Sequence, residues 1–146
     1  MSVGTQSRLW VAAQFGLIAF MLAWPADWAW DAAGIALGVL ALALSLWVFA
    51  YNRPGNFNIR PEPKAGATLV TRGPYRWVRH PMYVALLLGM AAVAALAHSL
   101  AQPVLWVILA VVLNFKAALE ERLLAMRWPD YATYCASTKR FIPGVW

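Results

Sequence analysis

Hydrophobic and polar positions alternate along this chain in long blocks rather than residue by residue. Four apolar segments, at 9–24, 32–51, 82–97 and 103–119, are separated by polar stretches. A helix that crosses a bilayer needs roughly 20 apolar residues, with a range of about 17–25. The first and third segments are slightly short, and interfacial residues or a different tilt would adapt them to the bilayer. The pattern predicts an all-α fold, an integral membrane bundle of about four transmembrane helices.

The connections between these segments assign the polar regions to two sides. Two connections, 25–31 and 98–102, are short, whereas the loop at 52–81 and the tail at 120–146 are long. With four spans, the N-terminus, the loop and the tail share one side, which carries all twelve Lys and Arg residues there or at its boundary. Because cytoplasmic segments are enriched in Lys and Arg, we predict that both termini are cytoplasmic, in the inner or plasma membrane of a prokaryote.

Composition agrees with this assignment and excludes other classes. The 146 residues suffice for one domain, 1–146, and are 62% hydrophobic and 12% charged. Soluble domains have about 45–50% apolar and about 25% charged residues. The net charge of +6 does not indicate nucleic-acid binding, because the Lys and Arg residues flank the apolar spans. They are predicted to set topology and to contact lipid head groups. The single cysteine, Cys135, excludes an intramolecular disulfide.

Two polar motifs border the third and fourth spans. Arg79-His80-Pro81 precedes the third, where proline suits the first helical turn and displaces the preceding residue from helical geometry. The free N–H groups of a helix start, together with an arginine, suit a carboxylate or phosphate. Glu120-Glu121 follows the fourth span. Because spans three and four form a short hairpin, both motifs should converge at one membrane face. Lipid anchoring of Arg79 and simple solvation of the glutamates are the alternative interpretations.

Three further features bear on partners. Gly34 and Gly38 form a G-x-x-x-G motif, which lets helices approach closely within the bundle or in a homodimer. Lys116 lies one turn before Glu120, where it either pairs with that residue, extends to the interface or faces a cavity. His98 lies at the opposite face from the remaining histidine, and no usual zinc spacing is present. No metal site is therefore predicted.

The run Thr71-Arg-Gly-Pro-Tyr-Arg-Trp-Val-Arg-His-Pro-Met-Tyr83 resembles the signature of the isoprenylcysteine carboxyl methyltransferase family. That family belongs to a wider group of membrane methyltransferases that includes phospholipid N-methyltransferases. Glu120-Glu121-x-x-Leu124, Tyr131-x-x-Tyr134 and Arg140-Phe-Ile-Pro143 match in order and approximate spacing. The resemblance covers about 68–146, roughly half of the chain.

The resemblance implies an S-adenosylmethionine-dependent methyltransferase with a lipidic or prenylated acceptor that enters from the bilayer. Arg79 and Glu121 would lie nearest the reacting groups and act as catalytic residues. The residues implied to bind the cofactor are Tyr75, His80, Pro81, Tyr83, Glu120 and Glu121. A sulfonium methyl donor favours nearby carboxylates, and its own carboxylate favours Arg79 and a helix start.

Two positions depart from the family pattern. Many relatives have glycine where this chain has Ala85, and the carboxyl methyltransferases often have an arginine where it has Lys116. Phospholipid amine N-methylation and methylation of a small hydrophobic metabolite therefore stay open beside carboxyl methylation. A sterol-reductase-like enzyme and a non-enzymatic membrane scaffold stay open as well.

Overall fold

The computed structural model describes residues 2–52, 56 and 58–145, and the regular secondary structure of these residues is helical. Five α-helices occur in this part of the chain: α1 Val3–Ala23, α2 Ala32–Tyr51, α3 Pro81–Leu96, α4 Ala101–Arg127 and α5 Tyr131–Ser137. A short 3-10 helix, Gly73–Arg76, lies in the loop before α3. The described residues form no β-strand, and the prediction of an all-α fold is confirmed.

The helix boundaries follow from local capping chemistry. Ser2 accepts a hydrogen bond from the Thr5 N–H at 3.3 Å and begins α1 six residues before the predicted apolar segment. Asp31 caps α2, its carboxylate accepting the Gly34 N–H at 2.7 Å. Such side-chain caps satisfy N–H groups that have no partner in the first helical turn. α4 continues to Arg127, beyond the end of the apolar segment at 119.

The four long helices pack in the order α2, α3, α4 and α1, with a smaller contact between α1 and α3. The centre of the bundle is an apolar cluster of Met21, Met90, Leu109 and Leu113, all at most 5% exposed. The Trp106 indole N–H donates to the Leu87 carbonyl at 2.8 Å and ties α4 to α3. The α3–α4 hairpin thus places the start of α3 beside the polar part of α4.

The glycine motif of α2 faces α3 in the same chain. A Cβ added at Gly34 would lie 2.9 Å from Leu96 Cγ, and one at Gly38 would lie 3.8 Å from Ala92 Cβ. Of the two uses that the sequence left open for Gly34 and Gly38, the fold shows helix packing within the chain.

Two helices, α2 and α4, are long and apolar enough to cross a membrane by length and composition. α3 is apolar but has only 16 residues. α1 is as long as α2 but includes the polar residues Ser7, Arg8 and Gln14. The predicted bundle of four transmembrane helices is therefore supported by these criteria for two of its members.

The end of the bundle where α3 begins is covered by the loop and the tail, and we call it the polar end. Residues of the tail pair with the chain just before α3: Arg79 N–H donates to the Lys139 carbonyl at 2.7 Å, and His80 N–H donates to the Arg140 carbonyl at 3.2 Å. Tyr134 of α5 donates its hydroxyl to the Tyr75 carbonyl at 2.6 Å. These contacts, distant in sequence, build the site.

Candidate functional site

The start of α3 holds His80 rigidly at the polar end. Pro81 occupies the first turn of the helix, and His80 before it is non-helical, with φ −122° and ψ 58°, as the steric effect of proline requires. The His80 side chain is 4% exposed. Its ring stacks on the ring of Tyr83 with a centroid distance of 5.2 Å. Pro81 therefore restricts the backbone of this histidine, and the stacked Tyr83 ring restricts its side chain.

Glu121 accepts hydrogen bonds from three basic side chains, and we call this group the Glu121 cluster. Its carboxylate lies 2.8 Å from Arg79 Nε, 3.1 Å from His80 Nε2 and 2.6 Å from Arg140 Nη2. Arg79 also donates through Nη1 to the carbonyls of Cys135, at 3.3 Å, and Thr138. The cluster joins α3, α4 and the tail.

The cluster keeps Glu121 ionised. Glu121 lies outside the predicted membrane-spanning segment, which ends at residue 119. Burial alone would raise the pKa of Glu121, but the hydrogen bonds from His80, Arg140 and Arg79 outweigh burial and hold the pKa well below its usual range. Burial would lower the pKa of Arg79, yet its hydrogen bond and attraction to Glu121 raise the value. Both partners are therefore charged across the physiological range.

Glu120 has a different environment from its neighbour. The Tyr83 hydroxyl donates to Glu120 Oε2 at 2.8 Å, and His80 Nδ1 lies 3.7 Å from the same oxygen. The Glu120 side chain is 29% exposed, against 13% for Glu121. Lys116, one turn earlier, does not pair with Glu120; it is buried and donates to Gln14 of α1 at 2.6 Å. Glu120 thus keeps part of its carboxylate accessible.

Two adjoining hollows at the polar end share six lining residues within the described part of the chain, and together we call them the polar cavity. The shared residues are Asn52, Asn56, Asn58, Tyr75, Arg79 and Glu120. The hollows measure about 110 and 100 Å³. One of them is also lined by His80, Pro81, Met82 and Tyr83. The structure therefore brings Tyr75, Arg79, His80, Pro81, Tyr83 and Glu120 to one cavity, while Glu121 lies behind Arg79 and His80 and does not line it.

A chain of asparagines that sequence reasoning missed supports one wall of the cavity. Asn56 donates to Asn52 Oδ1 at 2.7 Å, and Asn52 donates to the Tyr75 hydroxyl oxygen at 2.8 Å. Burial raises the pKa of Tyr75 to about 12, although the Asn52 hydrogen bond lowers it in part. Tyr75 therefore stays protonated and can donate to a ligand. The close spacing of Asn52, Asn56 and Asn58 is the sequence feature that could have indicated this wall.

Tyr75 reaches the cavity through a turn that only glycine permits. Gly73 has φ +60°, and a Cβ added there would lie 2.5 Å from Cγ of the Tyr51 ring. Such a φ is unfavourable for residues with a side chain. The Arg72-Gly73-Pro74 sequence consequently packs the loop against the end of α2 and directs Tyr75 inward.

Aromatic residues of α5 and of the segment just before it also line the polar cavity. Trp128, Tyr131 and Tyr134 line the larger hollow. Tyr131 is 2% exposed, and its hydroxyl has no hydrogen-bond partner within the described part of the chain. Since buried polar groups are normally paired, this hydroxyl suits a ligand atom. Tyr131 and Tyr134 were part of the sequence resemblance but were not assigned to the site.

An apolar hollow of about 430 Å³ lies between α3 and α4 on the outer side of the bundle, and we call it the α3–α4 groove. Its lining is Val84, Leu87, Leu88, Ala91, Trp106, Val107, Ala110, Val111, Asn114, Phe141 and Ile142. Phe141 also borders the polar cavity's residues, its ring centroid lying 5.9 Å from that of His80 and 6.4 Å from that of Tyr83. The groove and the cavity are therefore neighbouring compartments.

The described residues include no group of three or more His, Cys, Asp or Glu side chains arranged to hold a metal ion. The arrangement offers instead an accessible carboxylate, aromatic surfaces, hydrogen-bond donors and a helix start. This set suits a ligand that carries both a positive centre and an anionic group.

Comparison with known proteins supports a membrane methyltransferase relationship. The chain matches the phospholipid methyltransferase family over residues 30–130. It is 36% identical over 115 residues to the cobalt-zinc-cadmium resistance protein CzcN of Cupriavidus metallidurans, covering 75% of this chain and 49% of the relative. It is 28% identical over 126 residues to the nickel-cobalt-cadmium resistance protein NccN of Alcaligenes xylosoxydans xylosoxydans, covering 82% and 54% respectively.

The matched family region contains the start of α3, all of α4 and thus every residue of the Glu121 cluster except Arg140. The chain spans about half the length of the curated relatives it matches. Over most of its own length, the chain belongs to the phospholipid methyltransferase family.

Proposed function

We propose that this chain is an S-adenosylmethionine-dependent membrane methyltransferase that acts on a lipidic or prenylated acceptor, in the manner of isoprenylcysteine carboxyl methyltransferases. The observation that carries the proposal is the adjacency of the two compartments. A polar cavity with the Glu120 carboxylate adjoins an apolar groove, and the ring of Phe141 lies between them. A charged methyl donor and a lipid acceptor require such neighbouring environments.

The membrane arrangement belongs to the same proposal. α1, α2, α3 and α4 each cross the bilayer, and the polar end faces the cytoplasm together with both termini. The exposed leucines and valines of α2 support lipid contact: Val39, Leu40, Leu42 and Leu46 are 56–62% exposed. The concentration of Lys and Arg in the loop and tail supports the orientation.

The residues of the polar cavity fit the proposed cofactor by charge and shape. S-adenosylmethionine supplies an electrophilic methyl group on a positively charged sulfur. Glu120 attracts the positive centre. Arg79 and the Met82 N–H attract the carboxylate, since Pro81 has no N–H and Tyr83 and Val84 donate to the His80 carbonyl. Trp128 and Tyr134 offer flat surfaces. The Tyr131 hydroxyl, which has no hydrogen-bond partner among the described residues, offers a hydrogen bond. These residues hold and orient the cofactor.

Cofactor binding requires the polar cavity to widen. Small-molecule pockets usually measure about 300–1,000 Å³, more than either hollow. The loop residues Pro61, Thr68 and Leu69 cover the larger hollow and lack regular secondary structure. An outward shift of this loop is the smallest change that admits the cofactor.

Orientation rather than acid–base chemistry would dominate the rate. Methyl transfer is an in-line displacement, and holding two reactants aligned lowers the barrier through proximity. The stacked rings of His80 and Tyr83 and the hydrogen bond from Tyr83 to Glu120 fix the side of the cavity nearest the groove. The acceptor group, carboxyl or amine, is the part of the proposal open to direct measurement.

Titration of the full chain in detergent with S-adenosylhomocysteine, followed by calorimetry, tests the proposal. We expect saturable binding that Glu120→Gln weakens at least about tenfold, since the hydrogen bonds and attraction of a charged group are lost. Asp27→Asn, a matched change at the opposite end of the bundle, should leave binding unaffected. A methyl-transfer assay from labelled donor to extracted bacterial lipids then identifies the acceptor fraction.

Absence of binding at millimolar ligand contradicts the proposal. Binding of NADPH in its place favours the sterol-reductase-like enzyme. Normal binding by Glu120→Gln and His80→Ala together means that the cofactor occupies another part of the molecule.

A further inference from the structure

Among the eleven described residues that line the α3–α4 groove, Asn114 alone carries an amide side chain. It lies on α4 seven residues before Glu121, which is two helical turns and therefore the same helix face. Its neighbours in the groove are apolar residues such as Val111, Ala110 and Phe141. A polar amide in an apolar, lipid-facing surface is costly unless it has hydrogen-bond partners.

Within the described part of the chain, only the oxygen of the Asn114 amide has a hydrogen-bond partner. Arg140 Nη1 donates to Asn114 Oδ1 at 2.8 Å. A guanidinium group can only donate, so the amide oxygen must face Arg140 and the NH₂ group must point elsewhere. That NH₂ group has no hydrogen-bond partner among residues 2–52, 56 and 58–145. The groove thus contains an unused donor at its polar end.

Arg140 couples this donor to the site. The same guanidinium donates to Asn114 through Nη1 and to Glu121 Oε2 through Nη2 at 2.6 Å. Arg140 shares the Glu121 carboxylate with Arg79, so this carboxylate is engaged by two guanidinium groups. The groove's polar end therefore presents an N–H donor without an accessible carboxylate. Phe141, the next residue, closes the groove towards His80 and Tyr83. Asn114 and Phe141 therefore lie at the part of the groove nearest the polar cavity.

We propose that Asn114 is a specificity-determining residue that selects an acceptor whose head group presents a hydrogen-bond-accepting oxygen over one that carries an ammonium group. The occupant of the groove is the alkyl or prenyl chain of the methyl acceptor, with its head beside Asn114. This inference rests on the proposed function, because it assigns the acceptor side of the same site.

Quenching of Trp106, a groove residue, by brominated chains measures the preference. The probes are dibromostearate and the matched dibromostearylamine, used at a pH where the first is anionic and the second cationic. The full chain in detergent is titrated with each, and the component due to Trp106 is obtained by subtracting the Trp106→Phe variant. S-adenosylhomocysteine binding is measured on every variant to establish that the polar cavity is intact.

We expect the wild-type groove to bind dibromostearate more tightly than the amine. Asn114→Leu should weaken dibromostearate about tenfold, the loss of one hydrogen bond to a charged group, and Asn114→Asp should favour the amine. Tighter binding of the amine by the wild type, unchanged dibromostearate binding by Asn114→Leu, or quenching that does not depend on Trp106 would overturn the inference. If S-adenosylhomocysteine fails to bind even the wild type, the proposed function itself fails, and the two failures are thereby distinguished.

Discussion

At the scale of single residues, the two adjacent glutamates of α4 have opposite surroundings. Glu121 accepts hydrogen bonds from Arg79, His80 and Arg140, whereas Glu120 accepts one from Tyr83 and faces the polar cavity. The resemblance placed Glu121 nearest the reacting groups, and that assignment stays a prediction. The contacts of Glu121 give it at least one other role, which is to fasten the tail to the bundle.

Glu121→Gln is expected to destabilise the protein. Removing one charge from a largely buried ion pair costs about 2–5 kcal/mol, because the remaining charges lose their partner. Thermal unfolding in detergent at neutral pH, compared with the exposed control Asp130→Asn, measures the loss. Equal stability of the two variants would mean that the cluster contributes nothing to folding.

The same substitution should flatten the pH dependence of stability. The folded-state pKa of Glu121 lies below its ordinary value of 4.5, so its stabilisation is complete above pH 4.5 and is lost as the pH falls from there through the folded pKa. The wild type should therefore lose stability below pH 4.5 more steeply than Glu121→Gln. Parallel curves for the two proteins would contradict this explanation.

At the scale of helices, the contact between α2 and α3 depends on small residues. Gly34 lies against Leu96 and Ala95, and Gly38 lies against Ala92. Small residues let helices approach closely, which improves the van der Waals packing between helices. The sequence identified this motif but could not choose its partner, because the period of small residues does not specify which helix they meet.

Gly34→Val should weaken the bundle by about 1–3 kcal/mol through overpacking. Gly16→Val is the matched control, since a Cβ at Gly16 meets no atom within 4 Å. Thermal unfolding and oligomeric mass in detergent are measured for both variants. If Gly34→Val changes the oligomeric mass and leaves the unfolding temperature at the control's value, the motif acts between chains.

At the scale of the whole molecule, the long loop, the tail and the N-terminus gather at one end of the bundle. Hydropathy and the distribution of charges suffice to bring Arg79, His80 and Glu120 together from sequence. They do not suffice for Arg140 or Asn52, because these residues join the site through backbone pairing and side-chain contacts that leave no periodic signal. The apolar pattern likewise does not predict the start of α1, because the Ser2 cap determines it.

The single cysteine allows the proposed orientation to be measured directly. Cys135 lies in α5 at the polar end and is partly exposed. A membrane-impermeant maleimide should label it in inverted bacterial vesicles and not in intact cells with a permeable outer membrane. The control is the double variant Cys135→Ser/Trp30→Cys, since Trp30 is 91% exposed at the opposite end of the bundle. This variant should be labelled in intact cells and not in inverted vesicles.

The short segment that follows α5 has a thermodynamic consequence. Through Lys139 and Arg140 it pairs with the start of α3, and through Phe141 and Ile142 it forms one wall of the groove. A ligand that displaces this segment on one side changes the free energy of binding on the other. The segment lines the groove directly and supports Arg79 and His80, which line the polar cavity. Because such linkage is reciprocal, the proposed methyl donor and acceptor are expected to alter each other's affinity by the same factor.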